Sequence, residues 1–261
     1  MQLKIVSFNT GVRWALEGFT ILFRQPLALA TLLLMYFMVI SLLSMLPVIG
    51  WLAPIVLVPL GTVGFMEASR LATLGQTPWP HHLLTPLRST PGAAARIWQL
   101  GAVYTALVLL CFGASALIDD GVLFRGMILG AGLDEAALKS PQVLYALLLV
   151  ATLTLPLSLL FWFSPALVCW AGESVPKALF FSLVASLKNW KAFTGYGLMW
   201  MAIVLGVTQL AYWLLLTITR GAPAAQVALL PVMLVLMSAL FASFYPTYRD
   251  TLEDTPEPPA V

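Results

Sequence analysis

Charge is what this sequence has least of. Of 261 residues, 9% are charged, against about 25% in soluble globular chains. With 61% of residues hydrophobic, no soluble core of this size would hide the apolar surface. The net charge is +2 and no run of like charges occurs, so the chain offers neither a basic field for nucleic acid nor an electrostatic arm. Cysteine and histidine are scarcer still. Cys111 and Cys169 fall inside apolar stretches, where they read as small packed side chains rather than a disulfide framework or a metal set. His81 and His82, the two histidines, lack a nearby Cys or carboxylate and read as a solvated loop pair, not a metal site. With no histidine inside an apolar stretch, nothing would activate a serine within a membrane. Gly-x-x-x-x-Gly-Lys, Gly-x-Ser-x-Gly and His-Glu-x-x-His are missing as well. These absences predict no enzyme, no metal and no cofactor.

What the chain has is apolar length. A hydrocarbon core of about 30 Å takes roughly 20 apolar residues in a helix. Six segments meet that test: Leu27 to Leu46, Trp51 to Leu74, Ile97 to Ile118, Val143 to Trp170, Phe193 to Ile218 and Gln226 to Tyr245. The first is too long for a signal-peptide core and has no small-x-small cleavage site after it, so it reads as a retained span. Pro47 to Gly50 is a short uncharged link, which makes the first two helices a tight antiparallel hairpin.

Orientation follows from the excess of Lys and Arg that cytoplasmic loops retain. One face collects Lys4, Arg13, Arg24, Arg70, Arg88, Arg96, Lys177, Lys188, Lys191 and Arg249, the other Arg125, Lys139 and Arg220. Six spans then put both termini in the cytoplasm, with the Asp119 to Pro141 loop and the Arg220 to Ala225 turn outside. Trp51 and Trp213 mark the outer interface, and Trp14, Trp98, Trp170 and Trp190 the inner one, where indole sits between headgroup and hydrocarbon.

Two cytoplasmic segments are amphipathic. Along residues 12–24, Val12, Leu16, Phe19 and Phe23 recur at helical spacing while Arg13, Glu17, Thr20 and Arg24 fall on another side, as in a helix lying in the interface. Along residues 175–190, Leu179, Phe180, Leu183, Leu187 and Trp190 oppose Lys177, Ser182, Ser186 and Asn189, with Ser174 as N-cap and Pro176 in the first turn. Arg24-Gln25-Pro26 and Lys188-Asn189-Trp190 close the two segments alike, and the loop Pro86 to Pro91 is a degraded counterpart. The fold expected is therefore an all-α polytopic bundle of six transmembrane helices: three like-oriented hairpins, each led in by a cytoplasmic interfacial segment, within one membrane domain over residues 1–250. Two-span units of one orientation differ from the inverted repeats of many transporters. Prolines in each second helix (Pro54 and Pro59, Pro156 and Pro165, Pro231 and Pro246) predict bends. Past Tyr248 the tail is acidic and proline-rich, and residues 251–261 are expected to be disordered.

Few residues offer chemistry. Glu67 and Arg70 lie three apart near the inner end of the second span and admit two readings: a polar site open to the cytoplasm, or an intrahelical ion pair with Arg70 snorkelling. Asp119, Asp120, Asp134 and Glu135 gather in the outer loop without the spacing of a calcium loop and read as a solvated face. Between them, Val122 to Leu133 is apolar enough for a short interfacial helix or re-entrant turn.

Three stretches carry a resemblance: Trp14-Ala15-Leu16-Glu17-Gly18-Phe19 leading to Phe23-Arg24-Gln25-Pro26, Phe163-Ser164-Pro165-Ala166-Leu167-Val168, and Ala178-Leu179 to Ser186-Leu187-Lys188-Asn189-Trp190. They resemble an uncharacterised family of six-span proteobacterial inner-membrane proteins, which implies a location in the bacterial cytoplasmic membrane and brings no activity. More distantly, the pattern of interfacial helix, basic-Asn step and span is similar to the membrane domain attached to some glycerophosphodiester phosphodiesterases, whose catalytic domain has no counterpart here. The function expected is a non-enzymatic scaffold, assembly factor or transport accessory. It would bind anionic membrane lipid, a partner membrane protein or a second copy, with Arg13, Arg24, Arg88, Lys188 and Lys191 as contacts. A small-solute transporter or channel passing Glu67 and Arg70 is the alternative.

Overall fold

A chain this apolar and this poor in polar loops meets its backbone hydrogen bonds within segments, and helices do that at lowest cost. The computed structural model describes residues 3–46, 50–219 and 222–252, and every regular element among them is helical. In order these are α1 (Phe8–Arg24), α2 (Pro26–Ser44), α3 (Ala53–Val56), α4 (Val58–Thr73), a 3-10 segment (Pro80–Arg88), α5 (Ala93–Asp119), a π-helical turn (Phe124–Ile128), α6 (Glu135–Leu138), α7 (Pro141–Phe161), α8 (Ser164–Cys169), α9 (Val175–Lys188), α10 (Trp190–Thr219), α11 (Ala222–Ala228), α12 (Leu230–Ala242) and α13 (Phe244–Leu252). Most of the link Pro47 to Gly50, Arg220 of the expected outer turn, and residues 253–261 of the expected tail lie outside the described residues.

Among the described residues, five helical stretches are long and apolar enough to cross a membrane: Pro26–Ser44, Ala93–Asp119, Pro141–Cys169, Trp190–Thr219 and Gln226–Leu252. The expected span Trp51 to Leu74 is not among them; there the chain forms α3 and α4, parted at Leu57. Apolar side chains on the five stretches stay outward, Leu117 at 90% and Leu210 at 73% exposure, an arrangement suited to an apolar solvent. Several of their hydroxyls are spent on their own helices. Thr105 donates to Gly101 O, Ser158 to Thr154 O and Thr208 to Val204 O, the i−4 bond that satisfies Ser and Thr without a partner helix.

The prolines act as restarts. Pro54, Pro59, Pro165, Pro176 and Pro231 each occupy the second position of a helix, and Pro246 the third position of α13. In a first turn the missing N–H is no loss. Pro156 alone of the expected bends is interior, and α7 runs through it.

Two units make up the chain: Met1–Met35 with Gly64–Thr85 and Ala185–Val261, and Tyr36–Val63 with Pro86–Val184. In the first, called the terminal unit, α1 packs on α10, α12 and α13. Gly11 and Gly18 allow that approach, since a Cβ at Gly11 would run into the Ala192 carbonyl and one at Gly18 into the Ala239 carbonyl. In the second, the central unit, α5 packs on α3, α7 and α8.

Both lead-in helices differ from expectation in which face turns inward. On α1 the buried residues are Gly11, Trp14, Ala15, Gly18, Ile21 and Leu22, while Leu16 and Phe23 of the expected apolar face stay outward. On α9, Ser182 and Ser186 are buried, whereas Phe180 and Leu187 are exposed. Small residues let helices close up, and large apolar ones lose nothing by facing lipid; water-based amphipathicity inverts the sides. Trp14 is likewise no interfacial anchor, being 0% exposed, while Trp98, Trp190 and Trp213 do lie open. Arg249 and Asp250, expected in the free tail, belong to the last helix, and Thr251 and Leu252 beyond them are buried there.

Candidate functional site

Charged side chains of the terminal unit gather where α1 meets α13. Arg249 grips Glu17 with both terminal nitrogens, Nη1 to Oε1 at 2.6 Å and Nη2 to Oε2 at 3.1 Å. Its Nε donates to Asp250 Oδ1 at 2.9 Å. Asp250 Oδ2 accepts from the Trp14 indole at 2.9 Å and from Arg13 Nη2 at 3.1 Å. The set is graded from the interior outward: Trp14 is enclosed, Asp250 and Glu17 are 17% and 22% exposed at the side chain, and Arg13 is 64% exposed. Two carboxylates facing two guanidiniums with an indole N–H meets the condition for half-buried charge, full pairing with hydrogen bonds on the remaining lone pairs.

The joint between α9 and α10 is held beside it. Asn189, 1% exposed, donates through Nδ2 to the carbonyls of Lys4 (3.1 Å) and Ala185 (3.0 Å) and accepts from Val6 N at 2.8 Å. Lys4 N donates to Thr251 O at 2.9 Å. The amide thus stands in for a strand partner to residues 4–6, and the two chain ends are tied together. Tyr196 Oη and Ser243 Oγ, 2.6 Å apart, bridge α10 to the break between α12 and α13, and Trp14 meets Phe193 and Tyr196 edge-on.

Of the expected contact residues, Arg13, Arg24, Lys188 and Lys191 belong to the terminal unit and are exposed; Arg88 is exposed in the central unit. Arg24 Nη1 donates to Thr73 O at 2.9 Å, and Lys191 Nζ lies 5.8 Å from the ring centre of Trp190, a cation over an aromatic face. Open Phe23, Leu187 and Trp190 stand among these cations along the chain, with exposures of 68%, 52% and 59%.

Glu67 and Arg70 form the intrahelical pair of the second reading, Nε to Oε2 at 2.9 Å and Nη2 to Oε1 at 2.8 Å. The carboxylate side chain is 6% exposed and the guanidinium 37%. The 3-10 segment lies over this part of α4, where Leu83 O would meet any Cβ at Gly64. Burial and the neighbouring His81 push the His82 imidazole below its ordinary value, against an opposing pull from Glu67. Neutral His82 accepts the Trp79 N–H at its Nδ1, 2.8 Å away.

The outer-loop acids are occupied locally. Asp119 is buried and caps the turn after α5, accepting from Gly121 N at 3.0 Å and Leu123 N at 2.7 Å, so it does not join a solvated face. Asp134 caps α6 through Ala137 N, and Glu135 pairs with Lys139 at 2.6 Å. Among the described residues no cluster of His, Cys, Asp or Glu fits a metal ion.

Sequence reading missed Glu17, Trp14, Asn189, Arg249 and Asp250 as a set. Glu17 and Arg249 lie 232 positions apart, and no spacing rule joins them. The available signal was Asn189 at the joint between α9 and α10, and two adjacent charges three and four residues past the proline restart at Pro246.

Over 252 residues the chain is 40% identical to a probable inner membrane protein of Burkholderia thailandensis, a match covering 95% of this chain and 93% of that protein. No family model matches the chain. No solved structure matches it either. Identity of that depth over almost the full length of both proteins, joined to five apolar helices of membrane-crossing length, places this chain in the family of the Burkholderia inner membrane protein.

Proposed function

We propose that the protein is a six-span inner-membrane protein with both ends in the cytoplasm, without enzymatic activity. It binds anionic lipid, or a partner membrane protein held by the same charges, along the rim of α1 and the α9–α10 joint. The observation that carries this reading is the exposure of Arg13, Arg24, Lys188 and Lys191, together with Phe23, Leu187 and Trp190, in one unit. Basic residues near an anionic surface contribute roughly 1 kcal/mol each, and open aromatics suit the headgroup level. The sixth span is α3 and α4 taken together, interrupted at Leu57. Extraction into native nanodiscs followed by mass spectrometry of lipids and proteins tests the binding. Anionic lipid or a defined membrane protein is expected to co-purify, and to be lost when the four cations are changed to Gln. Equal recovery with and without them sinks the reading. Fluorescent and periplasm-active reporters fused after Val261 and inserted at Asp134 test the orientation.

Support for three like units comes from which element each lead-in rests on. Leu83 of the 3-10 segment sits against Gly64 of α4. Ser182 of α9 bonds to Leu159 O of α7 and Phe163 N before α8. Gly18 of α1 sits against Ala239 of α12. Each lead-in thus lies on the second helix of the preceding hairpin, the first lead-in taking the last hairpin. The likeness to the membrane domain of glycerophosphodiester phosphodiesterases rests on this lead-in pattern alone.

A transport reading draws on one observation, the nearly enclosed Glu67 carboxylate beside half-open Arg70, since charge at membrane depth commonly marks a solute path. Flux in proteoliposomes that disappears in Glu67→Gln would favour it over the lipid-binding reading.

A further inference from the structure

Two ties join the α1–α2 junction to the end of α4 and the segment after it. Arg24 Nη1 donates to Thr73 O at 2.9 Å, and one step along, Thr77 Oγ1 and Gln25 Oε1 are 3.4 Å apart. Beyond the ties the segments part and leave a groove of about 330 Å³ between Leu27, Ala28, Thr31 and Leu32 on one side and residues 77–80 on the other. Leu32 is its enclosed floor, while Leu27 at 83% and Trp79 at 60% exposure are its lips. One wall is stiff: Trp79 stands between Pro78 and Pro80, and its N–H is held by His82 Nδ1 at 2.8 Å. The volume sits at the lower end of the range for small-ligand sites, about 300–1,000 Å³.

The two ends differ in chemistry. Inside are apolar side chains and two threonine hydroxyls. Outside the lining, at the neighbouring tie, is the Arg24 guanidinium, exposed, with five donors of which one meets the Thr73 carbonyl and none meets a carboxylate among the described residues. A guanidinium with free donors takes phosphate in bidentate fashion, whereas a cleft this apolar, with two hydroxyls alone, offers little to hold a polar solute. A cation one tie away from an apolar slot fits a molecule that joins a phosphate to a hydrocarbon chain.

We propose that this groove is a binding site for one anionic phospholipid, with the headgroup phosphate on Arg24 and the end of one acyl chain laid between Leu27 and Trp79. The site rests on the lipid-binding reading of the rim and narrows it to one place. The test uses the full-length protein in nanodiscs holding phosphatidylglycerol and phosphatidylcholine, with a fraction of the phosphatidylglycerol carrying a photoreactive group on its acyl chain. Cross-links read by mass spectrometry are expected to concentrate on Leu27, Thr31 and Trp79. They should fall at least several-fold in Arg24→Gln and in the groove-filling Ala28→Phe, with the melting temperature of each variant confirming that it is folded. Phosphatidylcholine carrying the same group should label the groove several-fold less. Labelling spread evenly over the spans, or unmoved by both variants, overturns the groove. If phosphatidylglycerol is still enriched on the protein through Arg13, Lys188 and Lys191 in that case, the rim reading stands without it. If there is no enrichment anywhere, both fall.

Discussion

In the terminal unit the break at Ser243 is followed by α13, whose Arg249 and Asp250 reach across to Glu17, Trp14 and Arg13 on α1. In the central unit the break at Trp162 and Phe163 is followed by α8, and the ties there are of another kind. Ser182 of α9 donates to Leu159 O and accepts from Phe163 N, and Ser164 donates to Ala178 O. The far end of α8 is capped in turn by Ser89 and Thr90 on Cys169 O and by Arg96, which holds Thr90 Oγ1 and the Pro91 carbonyl with Val168 O beside them. Both units meet the same demand, since interrupting an apolar helix frees backbone groups that no water in hydrocarbon will satisfy. In the terminal unit Ser243 Oγ donates to Leu240 O at the break itself and the charged pairs add side-chain ties beside it, whereas the central unit uses hydroxyls against backbone and a cation at a helix C-terminus, where the dipole favours it. Ion pairs respond to salt and acid; hydroxyl bonds do not.

The largest effect is expected where side-chain volume, not charge, sets the terminal unit. Gly11→Leu drives a side chain into the Ala192 backbone, and overpacking against a backbone that cannot yield costs at least about 3 kcal/mol. Thermal unfolding in a mild detergent should show the loss directly. Gly197→Ala on the same α10 meets nothing within contact distance and should be neutral or stabilising by up to about 1 kcal/mol. Equal melting temperatures for the two variants would mean that α1 does not dock as described.

Next comes the difference between the two kinds of tie. Arg249→Met leaves Glu17 half-buried without its partner. Removing one member of a fully buried pair costs about 3–5 kcal/mol, and the 30% and 22% exposure of these side chains lowers the expectation to about 2 kcal/mol. Ser182→Ala removes the hydroxyl that accepts from Phe163 N and donates to Leu159 O, a loss of about 1–2 kcal/mol. Raising salt from 0.05 to 0.5 M should narrow the gap between wild type and Arg249→Met and leave that for Ser182→Ala unchanged. The same salt response in both would erase the distinction between the units. Lys139→Met, from a pair more than 70% exposed on both sides, should be silent.

These contrasts also explain what could be read in the chain and what could not. Apolar length gave the helices, because a run such as Phe193 to Ile218 has one way to satisfy its backbone in hydrocarbon. The prolines gave the joints, although as restarts rather than bends. Inside and outside were misread on α1 and α9, because sorting residues by water affinity assigns Ser182 and Ser186 to solvent, while an apolar solvent sends Phe180 and Leu187 outward and leaves small polar residues to pack. Glu67 with Arg70 was legible because three residues on one helix is a local spacing. Glu17 with Arg249, and Asn189 with residues 4–6, were not, because they depend on where residues far apart in the sequence pack in the folded chain.

The smallest expected effect separates the units by acid. His82 in the terminal unit accepts the Trp79 N–H only when its Nδ1 is unprotonated, and burial and His81 hold its pKa below the ordinary value. A histidine whose folded pKa is depressed binds fewer protons folded than unfolded. Its contribution is therefore complete above the unfolded value of about 6.5 and is lost as the pH falls below it. Lowering the pH from 7.5 to 5.5 should lower the melting temperature of the wild type slightly more than that of His82→Gln, whose amide oxygen can still accept but does not titrate. The same step should loosen Trp79, seen as faster hydrogen exchange at its amide, with the amide of Phe163, held by Ser182 in the central unit, unchanged once intrinsic rates are corrected. If Phe163 opened with acid as readily as Trp79, the histidine would not be the cause, and the acid response would belong to the whole bundle rather than to one of its units.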